Sequence, residues 1–120
     1  MPDLQHKLTT SQLEAQLKVL RALHVNPSLS QRELSKQLGI SLGKANYCVQ
    51  ALLKKGWIKA SNFKNNQRNI AHTYLLTPKG IEQKFKMTMI FLQKKQQEFE
   101  LLSQEIDQLT KESSDNEHYR

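Results

Sequence analysis

A mainly α fold with one small β-hairpin and a long C-terminal helix is what this 120-residue sequence predicts, and three observations predict it. Serine caps open short apolar stripes of helical period, twice as Ser-x-x-Glu (Ser11 to Glu14 and Ser30 to Glu33) and once more at Ser41. After Gly56 the period falls to two for a pair of short runs. From Pro78 to about Lys111 nothing interrupts a last helix, a length of roughly 50 Å at 1.5 Å per residue.

The first helix is expected to start at Ser11, whose hydroxyl accepts from the Glu14 backbone while the Glu14 carboxylate returns to Ser11. Leu13, Leu17, Leu20 and Leu23, with Val19 between them, form its buried stripe, and Asn26 and Pro27 end it. The second helix is short. Ser30 caps it, Leu29 and Leu34 are placed as a hydrophobic staple, Leu34 and Leu38 face inward, and Gly39 supplies a left-handed stop. Ser41 caps the third, in which Ala45, Cys48, Val49, Leu52 and Leu53 point to the core, while Lys54, Lys55 and Gly56 mark the end. A strand over Trp57 to Phe63 and another over Ala71 to Leu76 enclose a polar, basic hairpin tip, Lys64 to Asn69. Thr77 then caps the final helix, with Pro78 in its first turn where a missing N–H costs nothing. This divides the chain into a folded domain over 1–77, a helix over 78–112, and a polar tail over 113–120 expected to be disordered.

Charge is unevenly divided. The net +7 is made of +9 over residues 1–80, twelve Lys and Arg against Asp3, Glu14 and Glu33, and −2 over residues 81–120, six against eight. No carboxylate lies between Glu33 and Glu82, where eight cations do. A field of one sign over such a segment favours a polyanion, and nucleic acid is the commonest. One cysteine, Cys48, excludes an internal disulfide, and the four histidines have no ligand spacing, so no metal or other cofactor is expected. A leader and a membrane span are also absent from the pattern, which predicts a soluble cytoplasmic protein. The basic half holds too few acids for a catalytic carboxylate pair, and no nucleophile with a base is apparent; an enzyme is not expected.

Two helices joined through Leu38, Gly39, Ile40 and Ser41 form a helix-turn-helix, whose second helix enters the major groove. A basic hairpin following it is a wing, and the succession of three helices, strand, wing and strand is that of a winged helix-turn-helix. The stretches SQRELSKQLGISLGKANYCVQALLKKGWIKA and YLLTPKG resemble the MarR (multiple-antibiotic-resistance-regulator) family of bacterial transcription factors over about Leu13 to Gly80. Within it, ISLGKANYC, GWIKASNFKNN and YLLTPKG are most similar to small regulators associated with exopolysaccharide gene clusters. The resemblance implies a homodimer on a palindromic operator, usually a repressor. One long C-terminal helix in place of several dimerisation helices leaves a small-molecule effector unknown.

Lys44, Tyr47 and Gln50 are the first candidates for base contacts, followed by Ser41, Gly43 and Asn46, with Lys54 at the far end of the same helix. Arg68 at the hairpin tip suits the minor groove, while Lys64, Asn65, Asn66 and Gln67 suit phosphates. Arg32 and Lys36 on the second helix are placed to meet the DNA backbone; for Lys54, Lys55 and Lys59 the alternative reading is that they only offset the helix dipole. Any solvated polar face or turn has a similar composition. Cys48 reads as a small buried hydrophobe before a redox sensor, and Trp57 as core between helix and wing. Phe85, Leu92, Phe99 and Ile106 repeat every seven residues, joined by Ile81, Met89, Leu102 and Leu109, a stripe expected to pair with the same helix of a second chain. Lys94 to Gln97 interrupt it, and Thr88 and Lys95 occupy companion positions. The competing reading is a winged-helix module that binds protein or RNA without operator specificity; Tyr47 and Phe63 alone are too few aromatics for an RNA stacking platform.

Overall fold

The computed structural model describes residues 10–65 and 69–118, with the backbone alone at 62–65, 69–72 and 116–118. Its elements follow in the order α1 (Thr10–Val25), α2 (Gln31–Leu38), α3 (Leu42–Lys55), β1 (Ile58–Asn65), β2 (Asn69–Leu76) and α4 (Pro78–His118). They divide into two units, Met1–Met87 and Thr88–Arg120, the boundary falling within α4. The fold is a winged helix-turn-helix with an extended C-terminal helix, as the sequence predicts.

In the first unit, α1 packs against α2, α3 and β2, and α3 against α2 and β1. Val19, Leu20 and Leu23 from α1, Leu34 from α2, Ala45, Val49 and Leu52 from α3, and Ile58 from β1 are buried to within 2 %. A fully buried leucine contributes about 2 kcal/mol through apolar area removed from water, so these few side chains supply much of the cohesion of so small a domain. Asn26 ends α1 as expected. Its carboxamide oxygen accepts from the Ser28 N–H at 3.0 Å, and Pro27 presents its carbonyl to the Tyr74 N–H, tying the α1–α2 turn to the outer side of β2.

β1 and β2 form one antiparallel pair from Ile58 opposite Leu76 to Asn65 opposite Asn69. This corrects two boundaries. Lys64, Asn65 and Asn69 belong to the ladder and not to the tip, because cross-strand hydrogen bonding continues past the point where apolar alternation in the sequence ends. Trp57 precedes the strand at a bend and is half-buried, not part of the pair. At the N-terminal end, α1 begins at Thr10, so Ser11 lies inside the helix and not at its cap. At the other end α4 continues through His118, well past Lys111. The segment 113–118, expected to be disordered, is helical: it includes no proline or glycine to stop propagation from the helix before it.

The root of α4 explains the TPKG sequence. Thr77 accepts from the Gly80 N–H at 3.0 Å and donates its hydroxyl to the Gly56 carbonyl at 2.6 Å, so one side chain caps α4 and holds the end of α3. The Thr77 N–H also donates to the Trp57 carbonyl at 3.0 Å. Gly80 makes this approach possible, since a Cβ there would stand 1.9 Å from that same carbonyl oxygen.

Candidate nucleic-acid interface

The helix-turn-helix is built from local signals that reinforce one another. Ser30 accepts from the Glu33 N–H at 3.0 Å while Glu33 accepts from the Ser30 N–H at 2.8 Å. The Ser30 backbone N–H, and after it the Ser30 hydroxyl, hold the Glu33 carboxyl below its usual range. α2 ends on Gly39 in the left-handed region, φ 67°. Ser35 then closes the turn in both directions. Its carbonyl accepts from the Gly39 and Ile40 N–H groups, and its hydroxyl donates to the Ile40 carbonyl at 2.6 Å. Ser41 starts α3 by accepting from the Lys44 N–H at 3.0 Å. The turn therefore has few free torsions, and the start of α3 is fixed relative to α2.

Ala45, Cys48, Val49 and Leu52 bury the inner face of α3. All seven residues expected on its outer face, Ser41, Gly43, Lys44, Asn46, Tyr47, Gln50 and Lys54, are exposed, Tyr47 by 55 %. Among the described residues nothing outside its own helix turn approaches within 4 Å of where a Gly43 Cβ would stand, so that stretch of backbone is open to an incoming surface. Arg32 and Lys36 on α2 are exposed as well. Of the wing residues, Lys64 and Asn65 lie in β1 with only their backbone described, and Asn66, Gln67 and Arg68 lie outside the described residues.

Lys55 departs from its neighbour Lys54. Its ammonium turns inward to donate to the Gln16 side-chain oxygen at 2.8 Å and sits 4.5 Å from the centre of the Trp57 ring. Burial lowers its pKa from the usual lysine value, with nearby Cys48 acting in the opposite direction. Gln16, 1 % exposed, is the one buried polar side chain among the described residues, and Lys55 satisfies it. This bond ties the last turn of α3 to α1. No periodicity in the sequence distinguishes Lys55 from Lys54; the polar residue at a buried position of α1, Gln16, was the available signal. Ser35 and Gly80 were missed for the same reason, because each acts through a contact that the sequence does not display. Burial likewise pushes the Cys48 thiol upward against a smaller pull from Lys44 and Lys55, which favours its reading as a packed hydrophobe.

On α4, the eight residues of the expected stripe, Ile81, Phe85, Met89, Leu92, Phe99, Leu102, Ile106 and Leu109, are all between 48 % and 69 % exposed. So much large apolar surface along one helix is unusual for a surface that stays in water.

Residues 12–59 match a family described as winged helix-turn-helix DNA-binding. No curated protein matches the sequence. Among solved structures, a protein of Streptococcus mutans UA159 superposes with a TM-score of 0.62 at 17% identity, over 74% of this chain and 86% of that one. A MarR/EmrR family transcriptional regulator from Acinetobacter sp. ADP1 gives 0.59 at 17% identity, over 75% of this chain and 59% of that one. MepR from a multidrug-resistant Staphylococcus aureus clinical isolate gives 0.55 at 25% identity, over 83% of this chain and 67% of that one. The likenesses agree on the fold, and the chain spans about three-fifths of the Acinetobacter protein's length.

Proposed function

We propose that this winged helix-turn-helix protein is a MarR-type transcriptional regulator that binds double-stranded DNA as a homodimer. One observation carries the reading. The polar face of α3, from Ser41 to Lys54, is exposed in full while its other face is buried, and no carboxylate occurs in the sequence between Glu33 and Glu82 to repel a phosphate backbone. The major groove, about 12 Å wide, admits such a helix. Lys44, Tyr47 and Gln50 then read base edges, with the open backbone at Gly43 allowing close approach. Arg32, Lys36 and Lys64 neutralise phosphates, Asn65, Asn66 and Gln67 hydrogen-bond to them, and Arg68 at the wing tip enters the minor groove.

The exposed stripe of α4 supplies the dimer contact, which makes the operator an inverted repeat with half-sites about one helical turn apart. The stretches ISLGKANYC, GWIKASNFKNN and YLLTPKG support a place among the small regulators associated with exopolysaccharide clusters, acting in repression.

The test is selection of bound fragments from random duplexes at physiological salt. We expect enrichment of a short inverted repeat whose log affinity falls with log salt by about 0.9 for each phosphate neutralised. Lys44→Ala should change the preferred base at one position of each half-site, about ten-fold or more, whereas Lys64→Ala should weaken all sequences alike and lower the salt slope by roughly one. Selection of no duplex motif, or preference for unpaired RNA, would sink the reading.

A further inference from the structure

We infer that the α4 stripe is self-complementary in the antiparallel sense: the partner helix runs in the opposite direction, with Leu92 of one chain on Leu102 of the other. The inference rests on the homodimer reading above and adds its geometry. Over residues 88–109 the seven-residue repeat has two seam positions per turn pair. The first is apolar each time, as Leu92, Phe99 and Ile106. The second, three residues on, is Thr88, Lys95, Leu102 and Leu109, polar in one half and apolar in the other. Leu92, Phe99, Leu102, Ile106 and Leu109 are all about half exposed or more.

A symmetric pair of helices has two choices of two-fold axis. With the axis along the helices, each residue meets its own counterpart. Lys95 would then face Lys95 within the seam and Thr88 would face Thr88, so two layers, on either side of Leu92, would bring polar groups together in a desolvated contact, one of them like-charged. With the axis across the helices, first positions meet second positions. Leu92 then packs on Leu102, Phe99 on Lys95, and Ile106 on Thr88, each pair occurring twice. Every layer keeps at least one large apolar side chain. The Lys95 ammonium meets an aromatic face, which attracts a cation, in place of another ammonium. Its charge is already met within its own chain by Glu98 at 3.4 Å, which reduces the cost of placing it in a seam. The irregular companion positions that weaken the heptad pattern are thus what the antiparallel pairing accommodates.

Gln108 provides a reporter that leaves the seam intact; it is exposed and donates along its own helix to Glu112 at 3.2 Å. We would label Gln108→Cys in full-length protein carrying Cys48→Ala with a nitroxide, and measure the pairwise distance by double electron–electron resonance. Sedimentation equilibrium on the same sample gives the assembly state. If Cys48→Ala prevents folding, native Cys48 is retained, since at 2 % exposure it is shielded from the label. The antiparallel register offsets the two labels by 22 residues, about 33 Å along the axis at 1.5 Å per residue, and a distance of about 35 Å is expected. A dimer with labels closer than about 20 Å is parallel, which overturns this inference and leaves the dimer standing. A monomer at tens of micromolar overturns both.

Discussion

Replacing Gly80 by alanine sets two effects of opposite sign against each other, and the structure decides which prevails. In a helix, alanine is favoured over glycine by about 1 kcal/mol, so a propensity argument predicts a more stable protein. The contacts say otherwise. The added Cβ would meet the Trp57 carbonyl oxygen at 1.9 Å, its carbon at 2.8 Å and its Cα at 3.2 Å, all backbone atoms that no rotamer change can move. Restoring an ordinary contact near 3.4 Å requires a displacement of about 1.5 Å between α4 and the start of the hairpin. That shift removes the 3.0 Å bond from the Thr77 N–H to the same carbonyl and loosens the Thr77 cap, about 1 kcal/mol each. Overpacking adds about 1–3 kcal/mol. Less the propensity gain, the net loss is about 2–4 kcal/mol, or roughly 10–25 °C in midpoint for a domain of this size. Trp57, the single tryptophan, lies at the contact, so its fluorescence through a thermal or urea transition reports the event directly. A Gly80→Ala variant with a midpoint equal to or above that of the parent would refute the steric argument.

Gly43→Ala provides the converse: with open space around the position and no positive φ, thermal stability should rise by up to about 1 kcal/mol while affinity for the selected duplex falls, as measured by fluorescence anisotropy. Ser35→Ala removes the 2.6 Å bond to Ile40 that closes the helix-helix turn and should cost about 1 kcal/mol in urea denaturation. For Lys55, burial lowers the folded pKa, so between that value and the unfolded value near 10.5 the unfolded chain binds more protons and this lysine makes stability rise with pH; alkaline denaturation of Lys55→Met beside the parent should show the variant lacking that contribution. Leu92→Asp combined with Phe99→Asp should abolish tight binding to the inverted repeat while the Trp57 unfolding transition stays within about 1 kcal/mol of the parent, since both positions are exposed.

The caps, the turn and the polar face of α3 were legible in the sequence because they depend on neighbours within a few residues. Ser30 with Glu33, Gly39 and Ser41 each act through bonds spanning three to five positions, and their residue types have few other uses in that order. For the same reason the seven α3 candidates could be placed on the outer face from helical spacing alone. The wing was legible as a hairpin but not in its length, since strand pairing to Asn65 and Asn69 depends on cross-strand hydrogen bonds that side-chain alternation does not encode.

Tertiary structure alone decided the direction of Lys55, whose partner Gln16 lies 39 residues away, and the need for glycine at position 80, set by a carbonyl 23 positions earlier. Two lysines in adjacent positions, Lys54 and Lys55, have the same propensities and opposite surroundings, one in solvent and one against Trp57. What the chain specifies through neighbouring residues could be read along its length; what it specifies by bringing distant residues together became visible only in the fold, because the energy of a buried contact belongs to the pair and to neither residue by itself.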